Sequence, residues 1–181
     1  NYDSKNFTDI IMKVNESRLV FLSSAAGEGK STTFQSFWFK FKALYPSKWV
    51  EFIDLKKYLK VFEGAEKSDF SIRDNLKRFL SKNLLALSDF ESEVFTERFT
   101  KGEVIFFWDG ADEIFPLHEK FMINLVEIIK DSNGPWQFVS TRPHVDFEKS
   151  FKDSRPFQLS PLTNEDRFEF LVKFVVSKTN E

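Results

Sequence analysis

The chain contains no cysteine, which excludes disulfides and thiol catalysis and leaves a reducing compartment compatible with the composition. It also lacks a surplus of either charge. Lys and Arg total 26 against 28 Asp and Glu, a net charge of -2, so there is no electrostatic case for nucleic acid or an anionic membrane as the main partner. Long apolar runs are missing too. The opening stretch NYDSKNFTDIIMKVNESR breaks every short apolar run with charges of both signs, so neither a secretory leader nor a spanning helix is expected. A soluble, cytoplasmic domain is the expectation. No internal repeat, low-complexity tract or long interior linker divides the chain. The two histidines, His118 and His144, have no partners at metal-ligand spacing and read as surface or supporting residues.

What the chain has in excess is phenylalanine, 24 residues against three tyrosines. These fall on predicted strands and helix faces, so they read as core filling. A length of 181 residues suits one domain with a full core. The start at Asn1 and the end at Glu181, just past a helical pattern, suggest a piece of a longer protein, with 1–17 as a lead-in and 162–181 as the start of a following helical part.

Leu19 to Thr33, LVFLSSAAGEGKSTT, organises the rest. Its apolar run predicts a strand buried on both faces, and Gly27-Glu28-Gly29-Lys30-Ser31-Thr32 predicts a phosphate-binding loop opening a helix. Glycines let backbone N–H groups turn inward, the helix N-terminus favours an anion, Lys30 adds a point charge, and the Ser31 hydroxyl suits Mg²⁺. Ser24 stands where the full pattern GxxxxGK[ST] has its first glycine. A left-handed Ser24 would carry a strain of about 1–2 kcal/mol.

Further along, Phe34, Phe37, Trp38, Phe41 and Leu44 predict an amphipathic helix, and Trp49 to Leu55 a second strand. Phe7 to Val14 predicts one or two helical turns, and Gly64 to Ser68 a polar turn. Ile72, Leu76, Phe79 and Leu80 mark one helix; Phe90, Val94, Phe95 and Phe99 mark another, with Ser71/Asp74 and Ser88/Glu91 as capping boxes. Val104 to Trp108 is a third buried strand, running into Asp109-Gly110-Ala111-Asp112-Glu113. Pro116 suits the first turn of a helix striped by Phe121, Leu125, Ile128 and Ile129. Trp136 to Thr141 is a fourth strand ending at Arg142, Phe157 to Ser160 a short fifth candidate, and Thr163/Asp166 a cap for a last helix. The alternation predicts an α/β three-layer sandwich on a mostly parallel sheet. Chemistry-bearing residues then fall at three strand ends: the loop with Lys30 and Ser31, the acids Asp109, Asp112 and Glu113, and Arg142.

Together, GEGKST, YPSKWVEFIDL, VIFFWDGADEI, STRPH and LSPLTNEDRFEFL resemble a NACHT domain, the nucleotide-switch module of the STAND class of P-loop NTPases, in its arthropod-type form. The resemblance implies a five-stranded sheet of order 5-1-4-3-2 and a site for ATP or ADP with Mg²⁺. It implies nucleotide contacts from Gly27, Glu28, Gly29, Lys30, Ser31 and Thr32, and metal contacts from Ser31 and, through water, Asp109. Asp112 or Glu113 would orient the attacking water, since Gly110 has no side chain to do so, and Arg142 would read the γ-phosphate. Implied with these are slow ATP hydrolysis, packing against flanking domains of the parent protein, and self-association in the activated state. A turnover ATPase or kinase, and a scaffold that only binds nucleotide, are the alternatives; no acceptor lid separates the motifs.

Overall fold

The computed structural model describes residues 4–65, 73–131, 134–143, 151 and 156–158. The chain starts with helix α1 (Ser4–Ser17), longer than the one or two turns its pattern predicts. Arg18, at φ 60°, ends it in the left-handed conformation, its N–H donating to the Val14 carbonyl at 2.9 Å. The chain turns there into strand β1 (Leu19–Ser23), then through the glycine loop into helix α2 (Lys30–Leu44) and strand β2 (Trp49–Asp54). A 3-10 turn (Leu55–Tyr58), helices α3 (Leu59–Ala65) and α4 (Arg73–Arg78), a π-helical stretch (Phe79–Leu84) and helix α5 (Asp89–Thr100) precede strand β3 (Val104–Asp109). Helix α6 (Ala111–Asp131) leads to β4 (Trp136–Thr141), and β5 (Phe157–Gln158) completes the described elements.

All strand pairings are parallel, and the sheet order is β2-β3-β4-β1-β5, the predicted 5-1-4-3-2 read from the other edge. Both faces of this sheet are covered. Alternate residues of a strand face opposite sides of the sheet, and here both sides are apolar. On β3, Val104, Phe106 and Trp108 join a core with Leu80, Phe95, Ile114 and Leu125 of the helices after β2, while Ile105 and Phe107 join a second core with Val14 of α1 and Phe34 and Phe41 of α2. Aromatic edge and stacking contacts fill both cores, for instance Phe41 on Phe138 and Phe106 on Trp108. This is the use of the phenylalanine excess. Among the buried polar groups, Gln137 on β4 accepts from Trp108 Nε1 and donates to the Val126 carbonyl, so its burial is compensated.

Several local expectations shift. Leu44 and Phe90 are exposed, so the apolar stripes of α2 and α5 are narrower than drawn. Gly64 lies in α3, whose Phe62 and Ala65 anchor it to the core, where a polar turn was expected. Helix α6 begins at Ala111, so Asp112 and Glu113 lie in its first turn, and Pro116 is inside it, two residues before a break at His118 (φ −127°, ψ 30°). His118 is buried beside Phe62, not on the surface. The Ser88/Glu91 capping box forms as predicted. Ser71, Ile72, His144, Ser160 and the Thr163/Asp166 cap lie outside the described residues.

Candidate functional site

The phosphate-loop segment leaves β1 at Ser23 and enters α2 at Lys30. Gly27 and Gly29 adopt φ of 80° and 78°, the left-handed region that the loop's inward turn requires. Ser24 does not, so the strain that a left-handed serine would carry does not arise there. Gly29 is the N-cap of the 15-residue α2 and makes no side-chain cap bond to its first turn. The loop already shows a taste for carboxylate, since Glu28 accepts the Ala25 N–H at 2.8 Å. Ser31 and Thr32 are exposed on the opening turn of the helix. Beneath the loop, the hydroxyls of Ser23, Ser24 and Thr141 are buried with no hydrogen-bond partner, Ser23 and Thr141 being paired in register across β1 and β4.

The sheet order brings the other strand ends to this loop. β4 separates β1 from β3, so Arg142 stands between Lys30 and the acids. Asp112, in the first turn of α6, joins them: one carboxylate oxygen meets Lys30 Nζ at 2.5 Å and the other meets Arg142 Nε at 2.7 Å. Its side chain is only 3 % exposed, against 14 % for Lys30 and 51 % for Arg142. Three segments far apart in sequence thus share one ion cluster centred on a buried carboxylate.

Asp109 and Glu113 take different places. Asp109 is buried at the end of β3 and accepts a short hydrogen bond from Ser140 Oγ, which in turn accepts the Gly110 N–H at 2.9 Å. Gly110, at φ 80°, makes the sharp turn from β3 into α6, and its carbonyl accepts the Glu113 N–H at 3.0 Å. Glu113 reaches the other way, to Lys56 Nζ at 3.0 Å, and holds that ammonium above the ordinary lysine range. A cavity of about 400 Å³ opens here, lined by Lys30, Ser31, Asp109, Gly110 and Glu113 from the predicted set and by Asp54, Lys56 and Tyr58 from the end of β2.

Every predicted site residue is therefore described, and all gather at the carboxyl edge of β1, β3 and β4. Asp112 and Glu113, interchangeable in the sequence, point to different partners. Sequence reasoning missed Ser140 as the group that fixes Asp109, and Asp54, which lies directly beside Asp109 in the β2–β3 register. The donor set suits a polyphosphate with a hard divalent cation: two convergent cations, a helix start without a side-chain cap, and the hydroxyl of Ser31 and carboxylate of Asp109 on one cavity wall. No group of three or more His, Cys, Asp or Glu side chains placed to hold a metal ion occurs among the described residues. No described helix is long and apolar enough to cross a membrane. Compared with known proteins, the chain matches no family model, no curated protein and no solved structure.

Proposed function

We propose that this chain is a P-loop nucleotide-binding domain of the NACHT kind, which binds ATP or ADP with Mg²⁺, hydrolyses ATP slowly and uses its nucleotide state as a conformational and oligomerisation switch in the cytoplasm. The observation that carries this reading is the convergence of Lys30, Asp112 and Arg142 from three separate strand ends onto one point beside the glycine loop. A chance glycine turn has no reason to face an arginine and an acid delivered by two other strands.

In this reading the backbone of Gly27 to Ser31 cradles the phosphates, Lys30 and Arg142 neutralise the terminal one, and Ser31 and Asp109 hold the cation. Bound Mg²⁺ supplies charge neutralisation at the phosphate oxygens. Ser140 keeps the Asp109 carboxylate in one orientation. Glu113 is the acid that orients the attacking water, because it lines the cavity with Lys30 and Ser31, whereas both oxygens of Asp112 are engaged by cations. Phosphoryl transfer asks for positioning and electrostatics, and these residues provide both without covalent help.

A thermal-shift series with Mg-ATP and Mg-ADP tests the assignment. Wild type is stabilised by roughly 2–4 kcal/mol at 100 to 1,000 times Kd, and Lys30→Ala loses the effect; an equal shift in the variant overturns it. A second reading, phosphoryl transfer to an acceptor, is favoured by one observation, the room between Lys30 and the Asp54 to Tyr58 segment. Phosphate release without any acceptor, slowed by Glu113→Gln with binding intact, supports the switch; release that waits for an added hydroxyl acceptor supports transfer.

A further inference from the structure

Away from the glycine loop, helix α3 and the π-helical stretch flank a second cavity of about 570 Å³. Phe62 of α3 and Phe79 of the stretch hold the two elements together, their ring centroids 6.5 Å apart. One wall is a face of α3, with Lys60 and Gly64 one turn apart; the other is a face of α4 and the stretch, with Asn75, Arg78 and Asn83 above the buried Phe79. None of its described lining residues belongs to the cavity beside the loop, so this second cavity does not depend on the nucleotide reading. Its backbone is unusual. The Leu85 N–H donates to the Leu80 carbonyl at 3.0 Å, a bond spanning five residues in place of four, and π turns of this kind recur at functional sites.

The charges in this cavity are all of one sign: the described lining holds two cations and two carboxamides but no carboxylate. Both cations have an acid at helical pairing distance on their own element, Glu63 three residues after Lys60 and Asp74 four before Arg78. Neither pair forms: Asp74 meets Lys77 instead, and no ion pair of Lys60 or Arg78 occurs among the described residues. Two cations brought to one recess and left uncompensated there raise the local concentration of anions. We propose that this cavity binds a small phosphomonoester with a hydroxyl-bearing body, a sugar phosphate in chemical class. A guanidinium fork and an ammonium from opposite walls suit a doubly charged tetrahedral oxyanion. The volume lies in the range of small-molecule sites and exceeds what phosphate alone fills, so an organic body accompanies the anion. A carboxamide both donates and accepts, which matches Asn83 to a hydroxyl. The exposed lining residues are polar or glycine, so the apolar anchors that hold a peptide are missing from the described wall.

Titration of the full chain with glucose 6-phosphate, followed through its backbone amides by NMR, tests the proposal. The amides of Gly64, Arg78 and Asn83 are expected to shift saturably, with a Kd of about 1 mM or tighter. Inorganic phosphate and glucose should each bind about tenfold or more weakly; either one matching glucose 6-phosphate overturns the assigned ligand class. Arg78→Gln should weaken binding about tenfold or more. A Cβ at Gly64 would meet no atom within 4 Å and the residue is helical, so Gly64→Trp is tolerated by the backbone and should block the cavity. Either variant binding as wild type does overturns the location. Wild type alone decides three further outcomes, none of which needs a variant to fold. No saturable shift overturns the proposal, as do shifts confined to the amides of residues 27–31, and a hexaglutamate peptide that shifts the cavity amides where glucose 6-phosphate does not overturns the small-molecule class. Each of these results leaves the nucleotide reading to its own test.

Discussion

Replacing Ser140 with Ala removes a single oxygen from the interior, yet it should be among the more costly changes in the chain. Ser140 is fully buried, and its hydroxyl makes two bonds at once: it donates to the Asp109 carboxylate and accepts the Gly110 N–H at 2.9 Å. The bond to a charged acceptor contributes about 1.5–3 kcal/mol, and the abandoned amide costs about 1 kcal/mol more, less than a fully buried group because Gly110 is half-buried. Alanine creates almost no cavity, so packing adds little. The expected loss is about 2.5–4 kcal/mol, a large share of the roughly 5–15 kcal/mol that holds an ordinary domain together. At about 2–4 °C per kcal/mol for a chain of this size, the melting temperature should fall by roughly 5–15 °C. Urea unfolding of Ser140→Ala, Asp109→Asn and the double variant measures both the loss and the coupling. A Ser140→Ala protein within about 0.5 kcal/mol of wild type, or additive losses in the double variant, would refute the claim that Ser140 fixes the acid.

Three other outcomes follow from the geometry. Glu51 on β2 has its carboxyl pushed up from the usual range by burial, against an opposing hydrogen bond from Trp49 Nε1 at 2.7 Å, so the folded state binds its proton more readily than the unfolded one. Its ionised form therefore costs stability above the folded pKa. Glu51→Gln should stabilise the protein at neutral pH, the gain vanishing as pH falls below the unfolded value near 4.5; a pH-independent difference in urea midpoints contradicts this. Gly102→Ala should destabilise by about 1–3 kcal/mol, because the residue sits at φ 68° and a Cβ would come within 3.2 Å of the Gly134 backbone. Ser88→Ala, which breaks the reciprocal bonds with Glu91 at the start of α5, should cost about 0.5–2 kcal/mol by thermal unfolding, and a neutral result would mean the box adds nothing in this context.

The strands and the loop were legible because their signals are local. Uninterrupted apolar runs such as Leu19 to Leu22 and Val104 to Trp108 can only be buried on both faces, and Gly27 and Gly29 ahead of Lys30 mark a turn that needs positive φ. Helix limits were less legible where a tertiary contact overrides local preference. Gly64 stays helical because Phe62 and Ala65 are buried on either side, and α6 starts five residues ahead of Pro116 because Gly110 turns the chain off β3 at once.

The sequence by itself determined that a glycine loop, an acid cluster and an arginine would stand at strand ends. It did not determine which acid meets which base. Asp112 and Glu113 are neighbours in the chain, but successive side chains on a helix point about 100° apart, so the entry angle of α6 sends one to Lys30 and Arg142 and the other to Lys56. That angle, and the placement of β4 between β1 and β3, belong to the packed sheet with its two covered faces. Pairing of charges across such distances depends on strand order and helix orientation, which local periodicity does not encode; only the tertiary structure decided it.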